Sequence, residues 1–149
     1  MAALAWFAGV ASTSFAASSG LLAVEAPWCL PARPAANAAG YLVIDNGSDK
    51  PDRLIEITSP VARSVSIHES RVVGGLATMT ALGGVAIPAR TMVRFEPGGL
   101  HLMLETLRRP LSVGERVPVT LWFAVAGKVH ASLRVVLRPR LSASPTMRM

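Results

Sequence analysis

A period of two runs through this chain and sets what it can fold into. Val117, Val119, Leu121 and Phe123 alternate with Pro118, Thr120, Trp122 and Ala124. Val129, Ala131, Leu133 and Val135 alternate with Lys128, His130, Ser132 and Arg134. Further upstream, Val65 and Ile67 take one side of an extended segment, and Ser64, Ser66 and His68 take the other. Successive side chains of a strand point to opposite faces, so each segment buries one face and leaves the other to water. No helical period survives for long. Turn signals at Gly74-Gly75, Gly83-Gly84, Pro88-Ala89, Pro97-Gly98-Gly99 and Gly114 cut the chain into short pieces. Short strands between such turns predict an all-β sandwich or barrel of about seven to nine strands over residues 22–137. The expected core is Leu42, Ile44, Val65, Ile67, Leu102, Leu104, Val119, Leu121, Phe123, Leu133 and Val135. Ala39–Asp45 leads into Asn46-Gly47, which predicts a tight hairpin with Arg53–Thr58 as its return strand and Leu54 offset from Ile55 and Ile57.

The 149 residues suffice for one such domain and hardly for two. The net charge is +6, but Arg134, Arg138, Arg140 and Arg148 lie in the last sixteen residues, leaving +2 elsewhere. A nucleic-acid binder shows a basic face interleaved with aromatics. No aromatic residue accompanies this basic end, so no nucleic-acid partner is expected. Residues 138–149 read as a solvated, disordered basic tail. Residues 1–24 carry no charge, and Ser14-Phe15-Ala16 places small residues where a signal peptidase cuts. Residues 1–16 are therefore expected to be a signal peptide, although a basic start is missing. Ser12, Thr13, Ser14, Ser18, Ser19 and Gly20 interrupt the apolar run, so no stable membrane insertion is expected after cleavage, and a membrane anchor is the lesser alternative. The single cysteine, Cys29, has no disulfide partner and reads as a small buried hydrophobe.

Four residues carry chemistry. Ten residues separate His68 from Met79, twenty-one separate Met79 from His101, and Leu102 alone separates His101 from Met103. Residues at i and i+2 of a strand share a face, so His101 and Met103 point away from the core together while Leu102 and Leu104 point in. His68 lies on the polar face of its strand. Met79 falls between two Gly-Gly pairs, in a hairpin or loop. Two imidazoles and two thioethers form a soft, uncharged set that suits Cu(I). Zinc recruits thiolates or carboxylates, and neither lies in the set. In an oxidising compartment thiolates would be lost to disulfides, whereas thioethers persist. Neutral ligands leave the metal's charge uncancelled, which predicts a site near the surface, suited to handing one Cu(I) per chain onward.

The spacing His-x10-Met-x21-His-x-Met resembles that of the PCuAC family of periplasmic copper chaperones. The likeness extends over about residues 22–136, through AAGYLVIDNGSDKPDRLIEITSPVARSVSIHES and IPARTMVRFEPGGLHLMLETLRRPLSVGERVPVTLWF, with Trp28 upstream. The resemblance implies a cupredoxin-like Greek-key β-sandwich over residues 22–137, Cu(I) ligation by His68, Met79, His101 and Met103, and a periplasmic location. It further implies copper delivery towards the CuA centre of cytochrome c oxidase, alongside a Sco-type thiol protein. The sequence departs from the family at its uncharged start, at Cys29 and in its Arg- and Met-containing tail.

Other readings compete. Copper could be buffered for tolerance with no dedicated acceptor, or the domain could be a structural or interaction β-sandwich in which the His and Met residues are incidental. The nine carboxylates are scattered, with no HExxH, GxSxG or phosphate loop, so no enzyme is expected. His130 is expected at the surface without a motif partner, Met92 in or near the core, and Trp122 over the second face or an edge. Met147 and Met149 are not expected to be essential.

Overall fold

In the computed structural model, residues 17–19 and 21–137 are described, and among them there is no helix. The expected signal peptide and basic tail lie outside the described residues. Eleven strands follow in order: β1 Ala17–Ser19, β2 Leu22–Cys29, β3 Ala38–Asn46, β4 Asp52–Thr58, β5 Ala62–Val73, β6 Leu76–Leu82, β7 Val85–Ile87, β8 Thr91–Phe95, β9 Leu100–Leu107, β10 Arg116–Phe123 and β11 Gly127–Val135. Ten of them fall within residues 22–137, more than the seven to nine expected. The short β7 and β8, parted by the Pro88–Arg90 turn, lack a long enough alternation to stand out in sequence.

The strands hydrogen-bond in the order β6-β5-β9-β8-β3-β2-β11-β10-β4-β7, with β1 against β2. Additional pairings of β9 with β3 and of β5 with β4 bend this sheet back on itself. The β5–β4 closure is narrow, through Ile57 and Val65. The all-β expectation holds, and where a β-sandwich was expected the closure joins the strands into one barrel-like sheet. Most neighbours are antiparallel; β11–β2 and β8–β9 are parallel.

Alternation places the core as the sequence indicates. Val117, Val119, Leu121 and Phe123 are buried, as are Leu133, Val135, Leu102 and Leu104. Val65 is half-buried against them. Removing a side chain of the Leu121 kind from water stabilises the fold by about 1.5–3 kcal/mol. Gly40 lies opposite Leu102, where an added Cβ would come 3.2 Å from Leu133 Cδ1. The absent side chain lets β3 and β9 pass closely over this core.

Three local expectations are corrected. Asn46-Gly47 does not close a hairpin with Arg53–Thr58. β3 pairs with β2, β8 and β9, whereas β4 pairs with β10, β7 and β5. Asn46 is buried, and its Nδ2 donates to the carbonyls of Lys50, Ile87 and Pro88 while its Oδ1 accepts from Ser48 N. Asn46 therefore anchors a crossover loop, its carboxamide tying the end of β3 to Lys50 and to the Ile87-Pro88 segment. On β4, Leu54 and Ile57 are buried and Ile55 is exposed, because a register shift opposite Trp122 and Phe123 makes room for an extra residue. Met92 is also exposed rather than in the core, since it lies on the outer face of the short β8.

Candidate functional site

The site is built on three neighbouring strands, β6, β5 and β9. Gly74 and Gly75, with φ of 59° and 80°, turn β5 into β6. Two positive φ values in succession are the geometry of the tight hairpin turn, which glycine adopts at no steric cost. Met79 thus lies on a strand of this hairpin, paired with Ser70. Across the other edge of β5, His68 pairs with His101 and Ser66 with Met103. Side chains opposite each other share a face, so His68, Met79, His101 and Met103 all lie on one face of β6-β5-β9. Val65, Ile67, Leu102 and Leu104 take the other face and fill the core.

The two imidazoles are stacked, with ring centroids 5.7 Å apart and planes 26° from parallel. Met103, half-buried, follows His101 on the same face. Met79 is the outlying member. It is 55% exposed, and its partner Ser70 is two residues beyond His68. Met103 is displaced in the opposite direction, so ideal strand spacings put the Met79 and Met103 Cα atoms about 16 Å apart. The fold brings His68, His101 and Met103 together and leaves Met79 at the rim.

His101 departs from expectation in one respect. It points away from Leu102 and Leu104, yet it is only 5% exposed. His68 stacks beside it. The Trp28–Tyr41 aromatic pair, with centroids 4.4 Å apart, occupies the same face on β2 and β3, and Tyr41 is itself buried. The site is therefore walled on one side by aromatic rings and open at Met79.

The hydrogen bonds assign the ring nitrogens. His101 Nδ1 lies 3.1 Å from the Gly99 carbonyl oxygen, which can only accept, so Nδ1 carries the proton and the lone pair is on Nε2. His68 Nε2 lies 2.8 Å from Ser66 Oγ. His68 Nδ1 is buried with no hydrogen-bond partner. A hydroxyl takes either role, so when Ser66 accepts from Nε2, the orphaned Nδ1 presents a lone pair. A buried polar atom without a partner is costly, and a ligand that takes up that lone pair removes the cost. The carboxylate farther along the same face, Glu105, accepts from Ser64 Oγ. Among the described residues no three His, Cys, Asp or Glu side chains gather to hold a metal ion. The non-carboxylate donors that share this face with the two imidazoles include the thioethers of Met103 and, at the rim, Met79.

Ser66 and the Gly99 carbonyl are positioning groups that sequence reading did not single out. The available signals were the i−2 spacing of Ser66 from His68 and the turn before His101. His130 is exposed and bonded to Thr120, away from this face, and Trp122 is partly exposed beneath Lys128 Nζ at 4.7 Å. Cys29 is fully buried in β2, and burial followed by the charge of Glu115 pushes its thiol up to about 11.

The model of the protein family described as "Putative lipoprotein LpqE-like" matches residues 22–135. The Putative lipoprotein Lxx21020 of Leifsonia xyli subsp. xyli (strain CTCB07) is 39% identical over 72 residues, which is 48% of this chain and 43% of that protein. The match thus spans less than half the length of that relative. Among solved structures, the copper-bound PCuAC domain from PmoF2 is similar with a TM-score of 0.70 and 28% identity, over 83% of this chain and 98% of that domain. The solution structure of Cu(I)-DR1885 from Deinococcus radiodurans has a TM-score of 0.60 and 29% identity, over 78% of this chain and 80% of its own.

Proposed function

We propose that this chain, which belongs to the LpqE-like family, binds one Cu(I) ion and carries it as cargo to an acceptor protein. The observation that carries this reading is the stacked His68–His101 pair, with Met103 beside it and His68 Nδ1 left without a partner. Copper-bound PCuAC structures among its similar folds support the choice of metal.

His101 offers Nε2, because Gly99 holds its other nitrogen as a donor. His68 offers Nδ1, held in orientation by Ser66. Met103 adds a thioether on the same strand as His101. Met79 joins when the β5–β6 hairpin bends towards the pair, and its exposure makes it the ligand that first meets incoming copper and last releases it. Four neutral ligands match the soft, singly charged ion without holding it as paired thiolates would. The protein is a carrier, with no chemical step of its own.

The finer architecture is a cupredoxin-like Greek-key arrangement, and the acceptor is the CuA centre of cytochrome c oxidase, with a Sco-type thiol protein as a companion. The lipoprotein names of the family and of the Leifsonia relative support an exported protein in the periplasm or its equivalent, with or without an anchor. Cys29 is not a site for a lipid, since it is fully buried in β2 between Gly40 and Val135. X-ray absorption of the Cu(I)-loaded chain tests the ligand set. Nitrogen and sulfur neighbours together are expected; nitrogen and oxygen alone would refute it.

A further inference from the structure

The β6 strand reads the same in both directions: Leu76-Ala77-Thr78-Met79-Thr80-Ala81-Leu82 is a palindrome centred on Met79. It is also the free end of the sheet, since β5 is its only partner among the described strands. Its first six residues are exposed, and none of the seven carries a charge. Natural edges are blunted by charges, prolines or bulges, and this one has none of them.

The hairpin register shows which backbone groups face outward. In a two-residue hairpin the residues flanking the turn, here Val73 and Leu76, form a hydrogen-bonded pair, and bonded pairs alternate along the ladder. Leu76, Thr78, Thr80 and Leu82 therefore bond to β5. Ala77, Met79 and Ala81 turn their N–H and C=O groups to the open edge. The Ser70 N–H agrees, donating to Gly99 away from β6.

We propose that two copies of this chain pair antiparallel through β6, about a two-fold axis at Met79. The strand is its own complement under that operation: Met79 meets Met79 of the second copy, Ala77 meets Ala81, Thr78 meets Thr80, and Leu76 meets Leu82. The outward groups of Ala77, Met79 and Ala81 then form three bonded pairs. Threonine pairs opposite one another are favourable cross-strand neighbours. An isologous contact of this kind closes at two copies and leaves no propagating edge. The axis is perpendicular to the sheet, so both copies present His68, His101 and Met103 on the same side. The two Met79 Cα atoms come within about 5.5 Å, the spacing of a bonded antiparallel pair. The pairing stands without copper.

The test is sedimentation equilibrium of the metal-free full chain, so that failure of the copper reading does not affect it. The parent is expected to be a dimer. Thr78→Lys with Thr80→Lys sets like charges opposite each other twice and should weaken dimerisation roughly tenfold or more. Thr78→Glu with Thr80→Lys sets opposite charges there and should keep the dimer. Circular dichroism checks that each variant is folded. If the double lysine variant does not fold, Ala77→Pro replaces it, because the Ala77 N–H serves no bond to β5. A monomeric parent, or a dimer equally strong in all variants, would overturn the proposal.

Discussion

His68 and His101 stand directly opposite each other on β5 and β9, their rings 5.7 Å apart and nearly parallel. Each is oriented by a local partner two residues before it, Ser66 for His68 and Gly99 for His101. The pair is thus held in place by the same strands that it decorates.

Ser66 should act through His68. Ser66→Ala removes the bond at Nε2 and lets the ring reorient. Loss of such a supporting bond lowers metal affinity by about tenfold. Cu(I) affinity from chelator competition should fall by that order in Ser66→Ala, with the thermal midpoint of the metal-free protein little changed.

Exposure orders the methionines. Met79 and Met92 are 55% and 47% exposed, whereas Met103 is half-buried. Under limiting peroxide, peptide mapping by mass spectrometry should find sulfoxide at Met79 and Met92 before Met103. Cu(I) binding should weaken as Met79 oxidises, because a sulfoxide no longer offers a soft sulfur. Met79→Leu should remove that early sensitivity.

Alkaline stability should report Cys29. Its thiol rises from 9.0 to about 11 in the folded state, first through burial and then through Glu115. The unfolded chain loses this proton at lower pH than the folded one, so the stabilisation is complete below pH 9 and is lost as pH rises towards 11. The loss amounts to roughly 3 kcal/mol over that window. Denaturant unfolding against pH should show a shallower alkaline decline for Cys29→Ala than for the parent.

Asn46 should matter to stability out of proportion to its size. Asn46→Ala strips three carbonyls of a donor. Pro88 keeps the Thr91 hydroxyl, but the buried Ile87 carbonyl loses this donor, and an unpaired buried acceptor costs about 1–3 kcal/mol. Urea unfolding should show a loss of that size, and Cu(I) affinity should be preserved, because Asn46 ends β3 outside the β6-β5-β9 face.

These residues also show what the chain discloses before folding. Alternation identified the buried side of β5, β9, β10 and β11, because period two is a local property that burial enforces. It likewise paired His101 with Met103. Asn46-Gly47 misled because its local turn preference yields to tertiary bonding: the Asn46 carboxamide finds carbonyls forty residues away. Ile55 misled because the extra residue opposite Trp122 is set by the partner strand. The burial of His101 was not legible either, and only strand order brings Trp28 and Tyr41 to its face. Met79's place was hidden too, since its register on Ser70 follows from the Gly74-Gly75 turn.

The central claim is that His68, His101 and Met103 hold Cu(I), with Met79 closing the site. Anaerobic Cu(I) titration against a competing chelator tests it most directly in the parent, His68→Ala, His101→Ala, Met103→Ala and Met79→Ala. One equivalent is expected in the parent, with the largest losses of affinity in the two histidine variants and Met103→Ala and a smaller loss in Met79→Ala. Parent-like binding in His101→Ala and Met103→Ala would contradict the site.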